Sequence, residues 1–542
     1  MARTSMTVDL LLLGANIITG TNQKPDPDAV AVKQGRILAV GTVDELGSLN
    51  AKRRIQLNNK VLAPGFIDAH NHFMIYSMWL RYVDCRLPLN GDLDEIFEKI
   101  SSRAKELSPG EWIKGWGFAD YKVKQRRFPT LKELDKIASR NPVGIIHVSG
   151  HTAVVNSKGL EQLGITKQST DPPGGKIERD QNTGEPTGVL HETAMLGLSI
   201  ESTIKEFVGL KSEQQMEAIR TGAAEYARIG ITTTCDALSA PDLLSVYQSA
   251  EKRGALKCRV VAMPYYEHSA SVINSGLRSG FGSEMFKLGP IKLLGDGSLS
   301  GCTAAVSTPY ENSKNTGILY RNQETLDDII SELDEKDMQI AVHAIGDRAV
   351  EQVLKSYKKV IGKNTPNIKR HRIEHAGILN PDIIESIADL DVVVAVQPRM
   401  LYEQGDGFYR SCGADRIHWV YPYRTLIEKG IHVAGSSDCP VVSPNPILGM
   451  RDSIMRRTEQ GRVLAPSERL DADQAFVMYT REAAFSIFEE NNRGTLEEGK
   501  LADMVVLSAN PLTTDPDTWD DKLKVDMTIV GGEVVYENTK IS

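Results

Sequence analysis

The segment Asp68-Ala69-His70-Asn71-His72 closes an apolar run, FIDAH, and puts two imidazoles two residues apart. On an extended chain residues i and i+2 face the same side, so both rings can converge on one cation. Alone, such a pair reads equally well as two surface or capping histidines. Three further groups of the same kind change the balance: His343 closes QIAVHAIG, His375 closes HRIEHAG and Asp438 closes HVAGSSD. Histidine is scarce, eleven in 542 residues, and neutral apolar residues pack strand ends better. Five metal-competent groups at the ends of four strands therefore point to a metal centre. A His-rich set with a carboxylate suits zinc first, with Mn, Fe, Co or Ni compatible. Such an ion acidifies water and polarises a carbonyl, which is the chemistry of hydrolysis.

Those groups need a scaffold that brings strand ends together. Eight apolar segments read as strands: 63–70, 230–236, 258–264, 290–297, 339–346, 371–377, 391–398 and 432–438. Amphipathic helical patterns lie between most of them, among them SEQQMEAIRTGAAEYARIG, ETLDDIISELDEKD, DRAVEQVLKSYKKVIG and YRTLIEKG. Strands alternating with helices specify parallel β/α units, and eight is the count of a TIM-like (β/α)8 barrel, whose active site lies at the C-terminal strand ends. Both ends of the chain are β-rich instead, with DLLLLGANIIT, AVAVKQGRILAVG and RIQLNNKVLAPG near one end and LADMVVLS and KVDMTIVGGEVVYE near the other. The expected fold is α/β: a barrel over 63–490 and a small β-sandwich domain formed by 1–62 and 491–542. Residues from about 73 to 205 exceed one β/α connection and form an insertion after the first strand, at the barrel mouth where substrate binds.

The pattern of HxH on strand one, single histidines after strands five and six and an aspartate after strand eight resembles the amidohydrolase superfamily. PGFIDAHNH, GHTAVVNS, GEPTGVLHE, GITTTCD, KLLGDGSLSGCTAA, HAIGD, RIEHA, GSSDCPV and GTLEEGKLADMVVL resemble its amidohydrolase-3 branch, the YtcJ-like proteins, over nearly the whole chain. The resemblance implies that Lys292 is carboxylated, giving a carbamate that bridges two metals. His70 and His72 with Asp438 would hold the more buried ion and His343 and His375 the more exposed one. A shared hydroxide would attack a carbonyl while Asp438 relays the proton to the leaving nitrogen. Two alternatives stand beside this: a lysine paired with a carboxylate inside the barrel, and a one-metal centre without carbamate in which Asp296 is a ligand or a partner. Lys287 precedes the strand and fits less well than Lys292.

Substrate contacts are expected from loops near the mouth: His151 and Asn156 in GHTAVVNS, Glu192 in LHET, Arg416 and His418 in GADRIHW, and Trp116 as an apolar wall. Each has a competing role in hydrogen bonding or packing. His147 reads as a core histidine, and His191, His268, His371 and His432 have no matching strand-end position. No arginine cluster marks an anionic pocket, so the expected substrate is a small organic amide, with N-formyl or other N-acyl compounds the most consistent with the family. Cyclic amides, carbamates, esters, ring deamination and decarboxylation are alternatives on the same site. Deamination fits less well, because His343-Ala344-Ile345-Gly346-Asp347 lacks the His-x-x-Glu context of deaminases. A non-catalytic regulatory protein is a further alternative, opposed by the complete ligand set.

Composition narrows the remaining classes. The net charge of −8, with both signs interspersed, offers no basic stripe for nucleic acid. No run of about eighteen apolar residues exists, which argues against a membrane span, and the segment around DLLLLGANIITG reads as a first strand rather than a signal peptide. The expected location is the cytoplasm, with a homodimer as the expected assembly. Six cysteines without CxxC spacing suggest neither a disulfide framework nor a zinc knuckle. A dinucleotide oxidoreductase is excluded because GPIKLLGDGSLSG lacks the GxGxxG turn.

Overall fold

A computed structural model describes residues 7–21, 27–150, 152–362 and 366–538. The chain divides into two compact units, one spanning Phe73–Gly222 and the other comprising the segments on either side of it.

The larger unit is organised by eight parallel strands: β1 (Phe66–Asn71), β2 (Ile231–Ser239), β3 (Arg259–Pro264), β4 (Ile291–Leu294), β5 (Ile340–Ala344), β6 (Arg372–His375), β7 (Val393–Val396) and β8 (Val433–Gly435). β1, β2 and β3 are neighbours in one sheet, which the short strand Phe286–Leu288 continues beyond β3. β4 to β8 follow in order in a second sheet. A parallel bridge between Tyr265 and Lys292 links the two sheets beside β4. On the other side, the Asp438 amide donates to the His70 carbonyl at 2.7 Å and the Ser437 amide donates to the Asp68 carboxylate at 3.0 Å.

The strands are near-continuous runs of Val, Ile and Ala buried along their length, as parallel strands covered on both faces must be. The helix Asp347–Ile361 shows the complementary pattern. Val350, Val353, Leu354, Tyr357 and Ile361 are buried at helical spacing, Lys358 and Lys359 occupy its last turn, and Gly362 follows at φ 78°. Burying each large apolar side chain contributes about 1.5–3 kcal/mol.

Both chain ends contribute to two further sheets. Arg36–Gly41, Ala29–Lys33, Val8–Leu13 and Ala51–Gln56 form one, in that order. Asn16–Ile17, Val61–Pro64, Met504–Leu507, Val525–Val530 and Glu533–Glu537 form the other. They share an apolar cluster that includes Leu10, Leu12, Val30, Val32, Leu62, Met504, Val506 and Ile529.

The second unit holds a six-stranded sheet ordered Gly175–Arg179, Pro186–Glu192, Thr152–Val155, Val143–His147, Ile113–Phe118 and Val83–Asp84. Only Val143–His147 stands out as a strand in the sequence. Glycines interrupt the alternation elsewhere, as in IKGWGF at 113–118. The helix Leu93–Glu106, opened by a capping box of Asp92 and Glu95, packs Ile96 and Ile100 with Ile113, Val143, Ile145 and Val154. Among the described residues no helix is long and apolar enough to cross a membrane.

A buried ion pair joins β3 to the C-terminal sheet region. Arg259 Nε and Nη2 donate to the two Asp503 oxygens at 2.7 and 2.8 Å, with both side chains under 5% exposed. Arg259→Met leaves that carboxylate buried without its fork. The expected loss is about 3–5 kcal/mol of stability in chemical denaturation, with part recovered in the Arg259→Met/Asp503→Leu double variant; an unchanged midpoint for the single variant contradicts this role.

Candidate metal centre

The strand register brings the polar groups to one level. Leu294 pairs with His343, His343 with Glu374 and Ala344 with His375. Beyond β8 the chain turns with Asp438 at φ 59°, and His375 and Ala376 leave β6 at φ 78° and 48°. Left-handed backbone at such residues costs on the order of 1–3 kcal/mol each and persists only where the surroundings enforce it. Here Asp68 enforces part of it. It accepts from the Ser437 amide and hydroxyl and from the His70 amide, tying the end of β8 to β1. Burial pushes the Asp68 carboxyl up to about 6 against those bonds.

Four imidazoles and one carboxylate converge there. Ring centroids are 5.8 Å apart for His70 and His72, 5.2 Å for His70 and His375, and 4.4 Å for His343 and His375. Asp438 Oδ1 lies 3.0 Å from His72 Nε2 and 3.4 Å from His70 Nε2. One ligand atom from each of His70, His72 and Asp438 falls within 4.8 Å of the others.

Each ring has one nitrogen held by a supporting group, which fixes its tautomer and leaves the other as the candidate ligand atom. His70 Nδ1 is held by Glu374, His72 Nδ1 by the Ala237 carbonyl at 3.0 Å, His375 Nδ1 by Gln397 Oε1 at 2.6 Å and His343 Nε2 by the Gly297 carbonyl at 3.0 Å. Glu374 is gripped in turn by Arg372, whose Nε and Nη2 reach its two oxygens at 2.7 Å each. Gln397 donates to Ser436 Oγ at 2.9 Å.

The electrostatics favour the ligand forms of His343, His375 and Asp438. Burial, aided by Lys292, pushes His343 down to about 3, and burial with His343 holds His375 well below its ordinary value, so both are neutral imidazoles. Burial alone would raise Asp438, but hydrogen bonds from His70 and His72 hold it well below the usual carboxylate range. Against the cost of burial, the same Asp438 contact raises His72.

Lys292 is the exception among these satisfied groups. Its side chain is buried, close enough to feel Glu374, Asp438 and Arg372, and its Nζ has no hydrogen-bond partner among the described residues. Burial brings its ammonium down to about 8. Lys287, by contrast, is paired with Glu489. Asp296, the rival ligand, spends its oxygens on three backbone amides, those of Ala305, Ile345 and Gly346. The donor set therefore fits divalent metal: imidazoles with one nitrogen left to ligate, an ionised carboxylate and a buried amine without a partner among the described residues.

Arg416, Trp116 and Asn156, expected at the mouth, have other partners. Arg416 donates to the carbonyls of Cys412, Thr308 and Pro309, one from each guanidinium nitrogen. Trp116 is buried against Tyr76 and Trp79, with Arg86 over its face. Asn156 caps the helix Ser157–Gln162 and accepts from Val143 and Gly159. Glu192 ends its strand at φ 50°, and His151 lies outside the described residues. His147 bonds Ser149, His371 bonds Asp334 and His432 bonds Glu482. Glu374, Arg372, Gln397 and Asp68 support the ligands without any ligand pattern of their own; Glu374 is next to His375 and Asp68 two residues before His70, whereas Gln397 meets His375 only through folding. Gln397→Leu removes the acceptor that fixes the His375 tautomer and is expected to weaken metal binding or activity by about 10–100-fold at near-normal stability; titration of metal into chelated protein measures it, and wild-type affinity would remove Gln397 from this role.

The amidohydrolase family model matches residues 53–536. The chain is 30% identical to the putative amidohydrolase YtcJ of Bacillus subtilis (strain 168), over 97% of this chain and 99% of that protein. It is 28% identical to the N-substituted formamide deformylase of Arthrobacter pascens, over 98% and 99% of the two chains. An uncharacterized metal-dependent hydrolase from Pyrococcus horikoshii OT3 superposes with a TM-score of 0.76 at 25% identity, covering 94% of this chain and 99% of that one. With a candidate metal-ligating set at the ends of parallel strands and this match along most of its length, the chain belongs to the amidohydrolase family and is a hydrolase acting on carbon–nitrogen bonds.

Proposed function

We propose that the protein hydrolyses the amide C–N bond of a small N-formyl or N-acyl amine at a two-metal centre built on Lys292. The observation that carries this reading is the buried Lys292 Nζ, which has no hydrogen-bond partner among the described residues and lies close enough to Asp438, His343 and His375 to interact with them electrostatically. An ammonium there would face incoming cations, whereas a carbamate offers them two anionic oxygens. Carboxylation joins the neutral amine to the carbon of CO2 and releases one proton, so an ammonium lowered to about 8 by burial favours it at neutral pH. The similarity to a deformylase makes N-substituted formamides the first compounds to test.

In this reading His70, His72 and Asp438 would hold one ion and His343 and His375 a second, with the Lys292 carbamate as a further anionic ligand and zinc the first candidate metal. The ions would supply acidified water and a polarised carbonyl. Asp438 supplies proton transfer: ionised and held beside His70 and His72, it takes a proton from the attacking water and delivers it to the amide nitrogen as the C–N bond breaks. Water and amide thus give a carboxylic acid, formate for an N-formyl substrate, and an amine. We infer that the eight parallel strands close a (β/α)8 barrel around this centre, and that 1–62 and 491–542 form a β-sandwich domain beside 63–490; the two edge-to-edge links and the shared apolar cluster support this.

Purified protein is expected to carry close to two transition-metal ions per chain, to lose amidase activity with chelator and to regain it with zinc. Lys292→Ala is expected to lose the paired ions and most turnover, with partial recovery on adding a short carboxylic acid such as acetate. Two ions and full rate in that variant would rule out the carbamate. Asp438→Asn is expected to lower kcat by about 10²–10⁴-fold while the fold persists; steady-state kinetics showing retained turnover would remove Asp438 as the proton carrier.

A further inference from the structure

Between the ends of β4 and β5 lies a buried carboxylate that the mechanism does not use. Asp296 is about 1% exposed. Its Oδ2 accepts from the amides of Ala305 and Gly346 at 2.8 Å each, and its Oδ1 accepts from the amide of Ile345 at 3.0 Å. These donors come from two segments: Ala305 from the loop after β4, Ile345 and Gly346 from the turn that follows His343. The next residue in sequence, Gly297, presents its carbonyl to His343 Nε2 at 3.0 Å, and Asp296 Oδ1 itself lies 3.5 Å from that nitrogen.

The surroundings are too tight to rearrange freely. A Cβ on Gly346 would lie 1.9 Å from the Ala305 carbonyl oxygen, so the loop and the β5 turn touch backbone to backbone. A Cβ on Gly297 would lie 2.2 Å from Thr303 Oγ1, so the carbonyl that meets His343 is fixed by the loop as well. The loop has a second tie to the same turn. Asp347 accepts from the Ser307 amide at 2.8 Å and from the Ser307 hydroxyl.

We infer that Asp296 is a positioning residue for His343: it fastens the loop after β4 to the end of β5, so that the Gly297 carbonyl fixes the Nε2–H tautomer and leaves Nδ1 free to bind metal. This rests on the two-metal reading above. A carboxylate is required because one oxygen receives two amides and the other receives a third. An asparagine would turn an NH2 group towards at least one of those N–H donors.

The test compares wild type, Asp296→Asn, His343→Ala and the double variant. Each chelated protein is titrated with Co²⁺ while the visible spectrum of the bound ion is recorded. Uptake by wild type is read first, and its absence would sink the metal-hydrolase reading whatever Asp296 does. Given uptake, Asp296→Asn is expected to weaken one of the two ions by about 10–100-fold, with an altered cobalt band. The double variant is expected to bind no more weakly than His343→Ala alone, since both changes remove one interaction. Wild-type affinity and spectrum in Asp296→Asn would overturn the inference. So would a further tenfold loss in the double variant, which would make Asp296 a ligand in its own right. If Asp296→Asn does not fold, Gly297→Ala carries the test, because it displaces the same carbonyl while keeping the carboxylate. The same weakening supports the inference, and wild-type affinity overturns it.

Discussion

The centre depends on a chain of buried charge that runs from Arg372 through Glu374 to His70. Removing a carboxylate from water costs several kcal/mol even after relaxation, so Glu374, with no exposed surface, is tolerable only while both of its oxygens are gripped. Arg372 supplies two donors and His70 a third, and a further Arg372 N–H reaches the Ala69 carbonyl at 2.8 Å. β6 is thereby tied to β1, strands that belong to different sheets. The arrangement sets the rotation of the His70 ring and the position of the backbone that carries it. His375, on the same short strand as Arg372 and Glu374, inherits its place from that tie.

Around this chain the protein spends conformational strain on fixing ligands. His375 and Asp438 both adopt backbone conformations that side chains other than glycine avoid. The Asp68 carboxylate and the Gln397 amide stand next to those two residues and supply the bonds that hold them. Rigid placement of this kind fixes the orientation of each imidazole through the protein's own hydrogen bonds. His72 shows the least costly version, in which a backbone carbonyl, that of Ala237, sets the tautomer.

The sequence displays the strands readily, because a buried parallel strand leaves a run of β-branched and small apolar residues, and several of these runs end in a polar group. QIAVHAIG and HRIEHAG mark both the element and the ligand position. The supporting groups are harder to read. Glu374 and Gln397 look like ordinary polar residues beside strand ends, and only the three-dimensional pairing of β6 with β7 and the approach of β1 give them partners. Arg416 shows the reverse problem: a loop arginine suggests an anion pocket, but its donors meet three carbonyls that become neighbours only through folding. The six-stranded sheet of the second unit is obscured for a local reason. Its strands are short and several carry glycine, so the period-two signal never accumulates.

The pairing of Val61–Pro64 with Met504–Leu507 has a kinetic consequence. The earlier strand leaves the ribosome some 440 residues ahead of its partner. At ~5–20 residues per second it waits roughly tens of seconds with an unpaired apolar edge. During that interval the nascent chain carries an adhesive strand that later synthesis must cover, so the protein's yield in a cell is tied to the company that strand keeps before the last sheet is complete.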